Sequence, residues 1–310
     1  MTVLAAAPTI PSLLGGHWSP AWGVDAAGVG CAGAYLWGVI RTGVRWPAWR
    51  TVSFLSGLGV IVLALQSGID TYDQRLLSVH MLQHMLLLLL APLLLLEGRP
   101  LILALSLLGR QGRARLMRLL AGSRPLINPP VCLAVFSAAV LATHVPLFYQ
   151  STIRHPLVHV VEHALFLGAG LLFWWPLLDG DPSPAHRLGG LGRLVYLLAA
   201  MPSMALVGAY LNRAPSLAYP DYAAPARALG ISAVDDQQQA GAIMWVGGSS
   251  FMIAIGLRLA MASLIGEERR QAARERHAPR ARANRAEGLR ADAVRAESTP
   301  PRVVVGEPRR

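Results

Sequence analysis

The sequence predicts an all-α polytopic membrane protein, a bundle of seven transmembrane helices, and three observations support this class. Of 310 residues, 54% are hydrophobic and 15% are charged, with a mean hydropathy of +0.43. This composition is too apolar for an ordinary soluble domain. The charges cluster between long apolar stretches, and seven such stretches have roughly the 18 to 25 residues that a helix needs to cross a bilayer. They lie at about 24–41, 50–67, 76–96, 126–146, 156–178, 191–211 and 239–264.

The remaining segments are assigned around these spans. Residues 1–23 carry no basic residue and no clear cleavage site, so we expect an extracytoplasmic N-terminal segment rather than a removed signal peptide. The stretch from Pro100 to Leu108 is too short to cross alone, which leaves a re-entrant piece, an interfacial helix or a cytoplasmic continuation of the third span. The seven-helix domain is predicted over 24–266. The tail at 267–310 mixes Arg, Ala, Glu and Pro, which predicts a disordered segment.

The distribution of basic residues predicts the orientation. All 28 are arginine, and 23 of them lie in the connections 41–50, 97–125 and 179–193 and in the tail. The opposite connections hold only Arg75, Arg154, Arg213 and Arg227. The positive-inside rule therefore places the N-terminus outside and the C-terminus in the cytoplasm. The net charge of +11 comes largely from the tail and loops, without the aromatic-interleaved basic surface that would indicate a nucleic-acid partner.

Two ladders of histidine enter the membrane from the outer side in this topology. His80 and His84 lie roughly 6 and 12 Å into the third span, at 1.5 Å per residue. In the fifth span His155 lies at the mouth, and His159 and His163 lie roughly 5 and 10 Å deep by the same rise. Spacings of four residues place each set on one helix face. The two ladders can meet if the third and fifth spans are neighbours.

Converging imidazoles inside a membrane indicate a metal or cofactor site, because each polar side chain in lipid costs free energy unless a partner offsets it. Imidazole suits copper, zinc, iron and nickel, and a thioether beside imidazole favours copper(I). Met244 lies roughly a turn and a half into the seventh span, and His144 lies at the outer end of the fourth. The predicted metal ligands are His80, His84, His159, His163, His144, His155 and Met244.

Four further polar residues are candidates to support these ligands. Glu162 inside the fifth span must be protonated, paired or bound to an imidazole N–H, or else form a structural bond to a neighbouring helix. Gln83 lies between the two histidines of the third span. Asp236 and Gln237 open the seventh span, where acidic residues favour a helix N-terminus. For these two, helix capping and contact with a metal or substrate both stay open.

Several longer strings together resemble the CtaG family of seven-span bacterial membrane proteins, which are linked to assembly of haem-copper cytochrome c oxidase. The strings are HMLQHMLLLLLAPLLLLEGRP (80–100), THVPLFYQSTIRHPLVHVVEHALFLGAGLLFWWPLL (143–178), YP-DYAAP (219–225) and DQQQAGAIMWV (236–246). The resemblance covers about 17–264. Family motifs match at His80, His84, His144, His159, His163, Asp236, Gln237 and Met244, and more loosely at His155.

The resemblance implies a maturation factor in the bacterial inner membrane that helps copper reach the oxidase, with copper uptake or tolerance as an alternative. We expect reversible capture of Cu(I) or Cu(II) rather than catalysis. In this hypothesis His80, His84, His159 and His163 form the primary site, Met244 favours the reduced ion, and His144 and His155 act as a transfer relay. The expected partners are oxidase subunits, an extracytoplasmic copper chaperone, or both.

Three other classes of protein fit part of the pattern. A membrane di-iron oxygenase also uses HxxxH boxes, although those sites face the cytoplasm. A b-type haem protein would use one histidine from each ladder as axial ligands. A transporter or channel would need a polar route across the membrane, and both histidine-bearing spans become uniformly apolar below His84 and His163.

Overall fold

The computed structural model describes residues 8–15, 18–178, 188–268 and 271, and its regular elements are helices. Six helices are long and apolar enough to cross a membrane, or seven if one bent pair forms a single span. The prediction of an all-α membrane protein is therefore confirmed. The spans other than the fourth are Trp22–Arg41, Ala48–Tyr72, Leu77–Leu107, Pro156–Leu177, Gly190–Arg213 and Ala233–Glu268. Shorter helices are Ile10–Gly15, Arg110–Gly122 and Ala223–Ala228.

The fourth span differs from the straight helix that was predicted over 126–146. It consists of Pro129–Thr143 followed by Pro146–Arg154, and the two helices meet at an angle of 71°. Val145 adopts an extended conformation, with φ −63° and ψ 128°. Proline disfavours a helical conformation in the residue before it and lacks the N–H that would continue the helix. Pro146 therefore ends the first helix and begins a second one in a new direction.

The third span is longer than predicted. Pro100–Leu107 continues it, so that Leu77–Leu107 forms one apolar helix of 31 residues. The short segment after Arg99 is thus a continuation of this span rather than a re-entrant piece or a separate interfacial helix. Two irregularities interrupt the helix: a π-helical turn at Leu86–Leu90, and a left-handed residue, Arg99, with φ 52°.

The third span lies at the centre of the bundle, where it contacts the second, fifth and seventh spans. The fifth span also contacts the fourth, and the sixth contacts the fourth and the seventh. Stacked rings join three of these helices, since Phe173 lies 4.2 Å from Phe136 and 5.1 Å from Tyr196 between ring centroids. The first span is only 11% buried and lies at the edge of the bundle, against the second span and Pro100–Leu107.

A glycine permits close approach of the third and fifth spans. A Cβ atom at Gly170 would collide with the carbonyl oxygen of Leu88 and would lie 2.6 Å from Cγ of Pro92. Leu88 belongs to the π-helical turn, and Pro92 follows that turn in the chain. The absence of a side chain at Gly170 therefore lets the backbones of the two histidine-bearing helices touch.

The chain divides into two compact units at Leu257. All the contacts discussed below lie within the first unit. In the second unit, residues 258–268 are helical. Residues 267, 268 and 271 of the predicted tail are helical, and the remainder of the tail, for which disorder is predicted, lies outside the described residues.

Candidate metal centre

Two contacts set the position of the third span at the end that carries its histidines. The Asp236 carboxylate accepts a 2.6 Å hydrogen bond from the backbone N–H of Leu77 and further bonds from the N–H and hydroxyl of Ser78. The side-chain amide of Gln83 donates to the carbonyl oxygen of Ala64 in the second span, at 2.9 Å. Asp236 thus caps the third span from the seventh. Its carboxylate stabilises the positive end of that helix.

His80, His84 and Glu162 form a triad with no exposure to solvent, which we call the Glu162 triad. Oε2 of Glu162 lies 3.5 Å from Nε2 of His80 and 3.6 Å from Nε2 of His84. The two imidazole rings meet edge to face, with centroids 4.2 Å apart. The third and fifth spans therefore do bring their polar side chains together, and they do so around a carboxylate.

The hydrogen-bond network indicates which nitrogen of His80 is free. The Tyr222 hydroxyl donates to the carbonyl oxygen of Asp73 at 2.9 Å and lies 3.0 Å from Nδ1 of His80. Because that hydroxyl has a single proton, Nδ1–H of His80 donates to the Tyr222 oxygen. The lone pair of His80 is then on Nε2, the atom that faces Glu162.

The Glu162 triad contains five buried polar atoms that lack a hydrogen-bond partner among the described residues. They are Nε2 of His80, both nitrogens of His84 and both oxygens of Glu162. Buried polar atoms are nearly always paired, and leaving them unpaired costs free energy. Ligands bound at about 2.0–2.1 Å in a tetrahedral site lie about 3.3–3.4 Å apart, close to the observed spacing. The arrangement therefore fits a small metal ion.

A second group, the Asp73 triad, consists of Asp73, His159 and His163. Oδ2 of Asp73 lies 3.5 Å from Nε2 of His159, and neither atom has a hydrogen-bond partner within the described part of the chain. Asp73 lies in the turn between the second and third spans and is only 1% exposed. Burial raises the pKa of Asp73 to about 7, an effect that the neighbouring His80 partly opposes. A bound cation would compensate for the hydration that the ionised carboxylate loses.

The other predicted ligands occupy different environments. His144 lies beside the Glu162 triad, 6.2 Å from His84 between ring centroids. Its Nδ1 lies 2.7 Å from the carbonyl oxygen of Val140, and its Nε2 lies 3.4 Å from the sulfur of Met81. His155 is exposed at the start of the fifth span. Met244 is fully buried in the seventh span.

Of the predicted supporting residues, Gln83 contacts a histidine of the site, whereas Gln237 and Asp236 hold backbone segments near it. Gln83 accepts a 3.0 Å hydrogen bond from Nε2 of His163 and so belongs to the site. Gln237 accepts from the backbone N–H of Ala218 and donates to the carbonyl oxygens of Leu211 and Ser216. Gln237 therefore holds the connection between the sixth and seventh spans, as Asp236 holds the start of the third.

Sequence reasoning missed two residues of the site, Asp73 and Tyr222. Both lie in connections between spans, where no helical periodicity identifies the face on which a side chain lies. A weak signal was present for each. Asp73 precedes the first histidine of the third span by seven residues, and Tyr222 lies within the string YP-DYAAP that contributes to the family resemblance.

The fold and this cluster define the class: a helical membrane protein with imidazole and carboxylate groups gathered inside its bundle. The profile of the cytochrome c oxidase caa3 assembly factor family (CtaG) matches residues 33–264. The chain belongs to this family, which confirms the resemblance inferred from its motifs.

Curated relatives have no described activity. An uncharacterized protein of Mycobacterium leprae is 31% identical over 251 residues, which are 77% of this chain and 38% of the relative. An uncharacterized protein of Mycobacterium bovis is 31% identical over 269 residues, which are 82% of this chain and 40% of the relative. The chain thus spans about two-fifths of the length of these relatives. No solved structure matches the chain.

Proposed function

We propose that this chain binds a copper ion at the Glu162 triad and holds it for delivery to a haem-copper cytochrome c oxidase. The observation that carries the proposal is the set of five buried nitrogen and oxygen atoms without hydrogen-bond partners in that triad. A cation bound between the two imidazoles and the carboxylate would satisfy these atoms together. The link to the oxidase comes from the family to which the chain belongs.

The donor set favours the oxidised ion. Imidazole suits copper, and carboxylate oxygen is a hard ligand, whereas soft thioether ligands select Cu(I). The Glu162 triad itself offers two imidazole nitrogens and a carboxylate oxygen, a donor set that favours Cu(II). A haem fits less well, because side-chain atoms 3.5 and 3.6 Å apart leave room for one ion rather than a porphyrin.

The proposed location follows from the arginine distribution. The positive-inside rule places the histidine-bearing ends of the third and fifth spans outside the cytoplasm of a bacterial inner membrane. Copper would be exchanged there with oxidase subunits, an extracytoplasmic copper chaperone, or both. Beyond His84 the third span continues with the buried apolar residues Leu87, Leu88 and Leu89, so delivery on the same side is favoured over uptake. The relay role of His144 and His155 stays a prediction.

A membrane di-iron oxygenase is the second candidate function. The observation that favours it is that the two triads, each with two histidines and one carboxylate, lie side by side. The ring centroids of His80 and His159, one from each triad, are 5.1 Å apart. Neighbouring sites of this kind can hold two iron ions. The iron content of the purified protein separates this candidate from the copper proposal.

The test measures metal bound to the purified full-length protein in lipid nanodiscs, by mass spectrometry of copper and iron. Samples are measured as isolated and again after loading with Cu(II) and gel filtration. We compare the wild type with Glu162→Gln, which removes the charge at nearly constant volume, and with His80→Ala combined with His84→Ala. Asp235→Asn is the matched control, because it removes an exposed carboxylate at the start of the seventh span.

We expect bound copper in the wild type and in Asp235→Asn. Each of the two triad variants should bind at least one copper ion per chain fewer than the wild type. Copper absent from the wild type, or unchanged by either triad variant, would overturn the proposal. Two irons per chain in the protein as isolated would favour the oxygenase instead.

A further inference from the structure

A lateral cavity reaches the Asp73 triad but not the Glu162 triad. Its volume is about 440 Å³, and it lies among the first, second, third and fifth spans. Among its lining residues are Asp70, His159, His163, Pro156, Val24 and Leu65. His80, His84 and Glu162 have no exposed surface. An ion that comes from the cavity therefore meets the Asp73 triad first.

The Asp73 triad has free ligand atoms of its own. Both oxygens of Asp73 and Nε2 of His159 are buried without a hydrogen-bond partner among the described residues. Gln83 donates through its nitrogen to Ala64 and therefore presents its oxygen to Nε2–H of His163. That bond leaves the lone pair of His163 on Nδ1. Nδ1 of His159 lies 3.2 Å from the side-chain nitrogen of Gln74 and accepts its hydrogen bond, which leaves the proton of His159 on Nε2. Asp73 and His163 are thus available to bind a cation as they stand, and Nε2 of His159 becomes available when the Gln74 amide turns its oxygen to Nδ1–H.

The two triads are adjacent and share a support. The ring centroids of His80 and His159 lie 5.1 Å apart, and those of His159 and His163 lie 4.1 Å apart. Tyr222 joins the triads directly, because its hydroxyl contacts both the backbone oxygen of Asp73 and Nδ1 of His80. Only a short displacement separates an ion held by one triad from the ligands of the other.

We propose that the Asp73 triad is a second metal site, which takes a copper ion from the lateral cavity and passes it to the Glu162 triad. This inference rests on the proposed function, since it assigns copper to the same cluster. It adds a stoichiometry of two ions per chain, a different ligand set for each ion and an order of loading. Exchange between two weak sites lets the ion move by replacing one ligand at a time.

The experiment counts Cu(II) ions in the purified full-length protein and records their electron paramagnetic resonance spectrum. Glu162→Gln removes a ligand from one site, and Asp73→Asn removes the corresponding ligand from the other at nearly constant volume. His159→Ala is a second variant of the Asp73 triad, at a side chain that is 13% exposed and so tolerates truncation better. Asp235→Asn is the control, because this carboxylate is exposed at the start of the seventh span and lies outside the cavity and both triads.

We expect two Cu(II) ions with a magnetically coupled signal in the wild type and in Asp235→Asn. Glu162→Gln, Asp73→Asn and His159→Ala should each retain one ion with an uncoupled signal. One ion in the wild type that only Glu162→Gln removes would overturn the second site and leave the proposed function standing. One ion that variants of either triad remove would show a single shared site and also overturn the inference. Absence of copper would overturn the proposed function itself.

A variant that fills the cavity tests the order of loading. Ala164 lines the cavity without belonging to either triad, so Ala164→Trp should occupy its volume. We expect slower Cu(II) uptake by at least about tenfold in stopped-flow measurements, with two ions bound at equilibrium. Uptake at the wild-type rate would overturn the assignment of the cavity as the path of loading.

Discussion

The Tyr222 hydroxyl determines which nitrogen of His80 is free for a metal. It donates to the backbone oxygen of Asp73 and accepts from Nδ1 of His80, so Nε2 is left to face Glu162. Partners of this kind fix the tautomer and the orientation of ligating histidines. The same residue joins a connection late in the chain to the start of the third span. Its role depends on a contact between residues 142 positions apart.

Replacing Tyr222 by Phe should therefore weaken copper binding without removing a ligand. We expect Tyr222→Phe to lower the affinity for Cu(II) by about 10- to 100-fold, because His80 loses the partner of its Nδ1–H. Competition with a copper chelator measures the change. Tyr219→Phe is the matched control, since the Tyr219 hydroxyl donates to the backbone oxygen of His144 and does not contact His80. Equal affinities for the two variants would contradict this role for Tyr222.

At the scale of elements, contact between the third and fifth spans determines whether the cluster forms. Both helices carry histidines at four-residue spacing, but neither triad is complete on one helix. Gly170 permits the contact, because its backbone lies against the carbonyl oxygen of Leu88 in the π-helical turn. The bend at Pro146 changes the fourth span in a similar way, since one residue without an N–H redirects a helix that hydropathy predicts to be straight.

A methyl group at position 170 should separate the two helices. We expect Gly170→Ala to destabilise the protein by about 1–3 kcal/mol, the usual cost of overpacking a closely packed interior, and to weaken copper binding as well. Denaturant titration in detergent micelles measures the stability. Gly168→Ala, on the same helix, is the control, because a Cβ atom there meets nothing within 4 Å. A similar decrease in stability in both variants would show that the close backbone contact at Gly170 does not explain the destabilisation.

At the scale of the whole molecule, the orientation would decide which compartment exchanges copper with the proposed site. Arginine dominates the connections at one end of the bundle, and the histidine-bearing ends of the third and fifth spans lie at the other. The positive-inside rule predicts that these ends face away from the cytoplasm. That side would be the one on which an oxidase subunit or a copper chaperone meets the protein.

Cysteine labelling in intact cells tests this orientation. In a Cys31→Ser background, we expect a membrane-impermeant maleimide to label Ala228→Cys, which lies exposed between the sixth and seventh spans. Gln111→Cys, exposed between the third and fourth spans, should react only after lysis. The two positions serve as controls for each other. The reverse pattern would place the metal site on the cytoplasmic side and overturn the proposed delivery to an outer face.

The sequence by itself determined the class of protein and two of the three residues of each triad. Hydropathy predicted the helical membrane fold, because the bilayer requires long apolar helices. The four-residue spacing placed His80 with His84 and His159 with His163, because that spacing repeats on one helix face. Only the tertiary structure decided that Glu162 and Asp73 complete two separate groups and that Tyr222 supports them. These features depend on contacts between distant segments, and no local periodicity encodes such contacts.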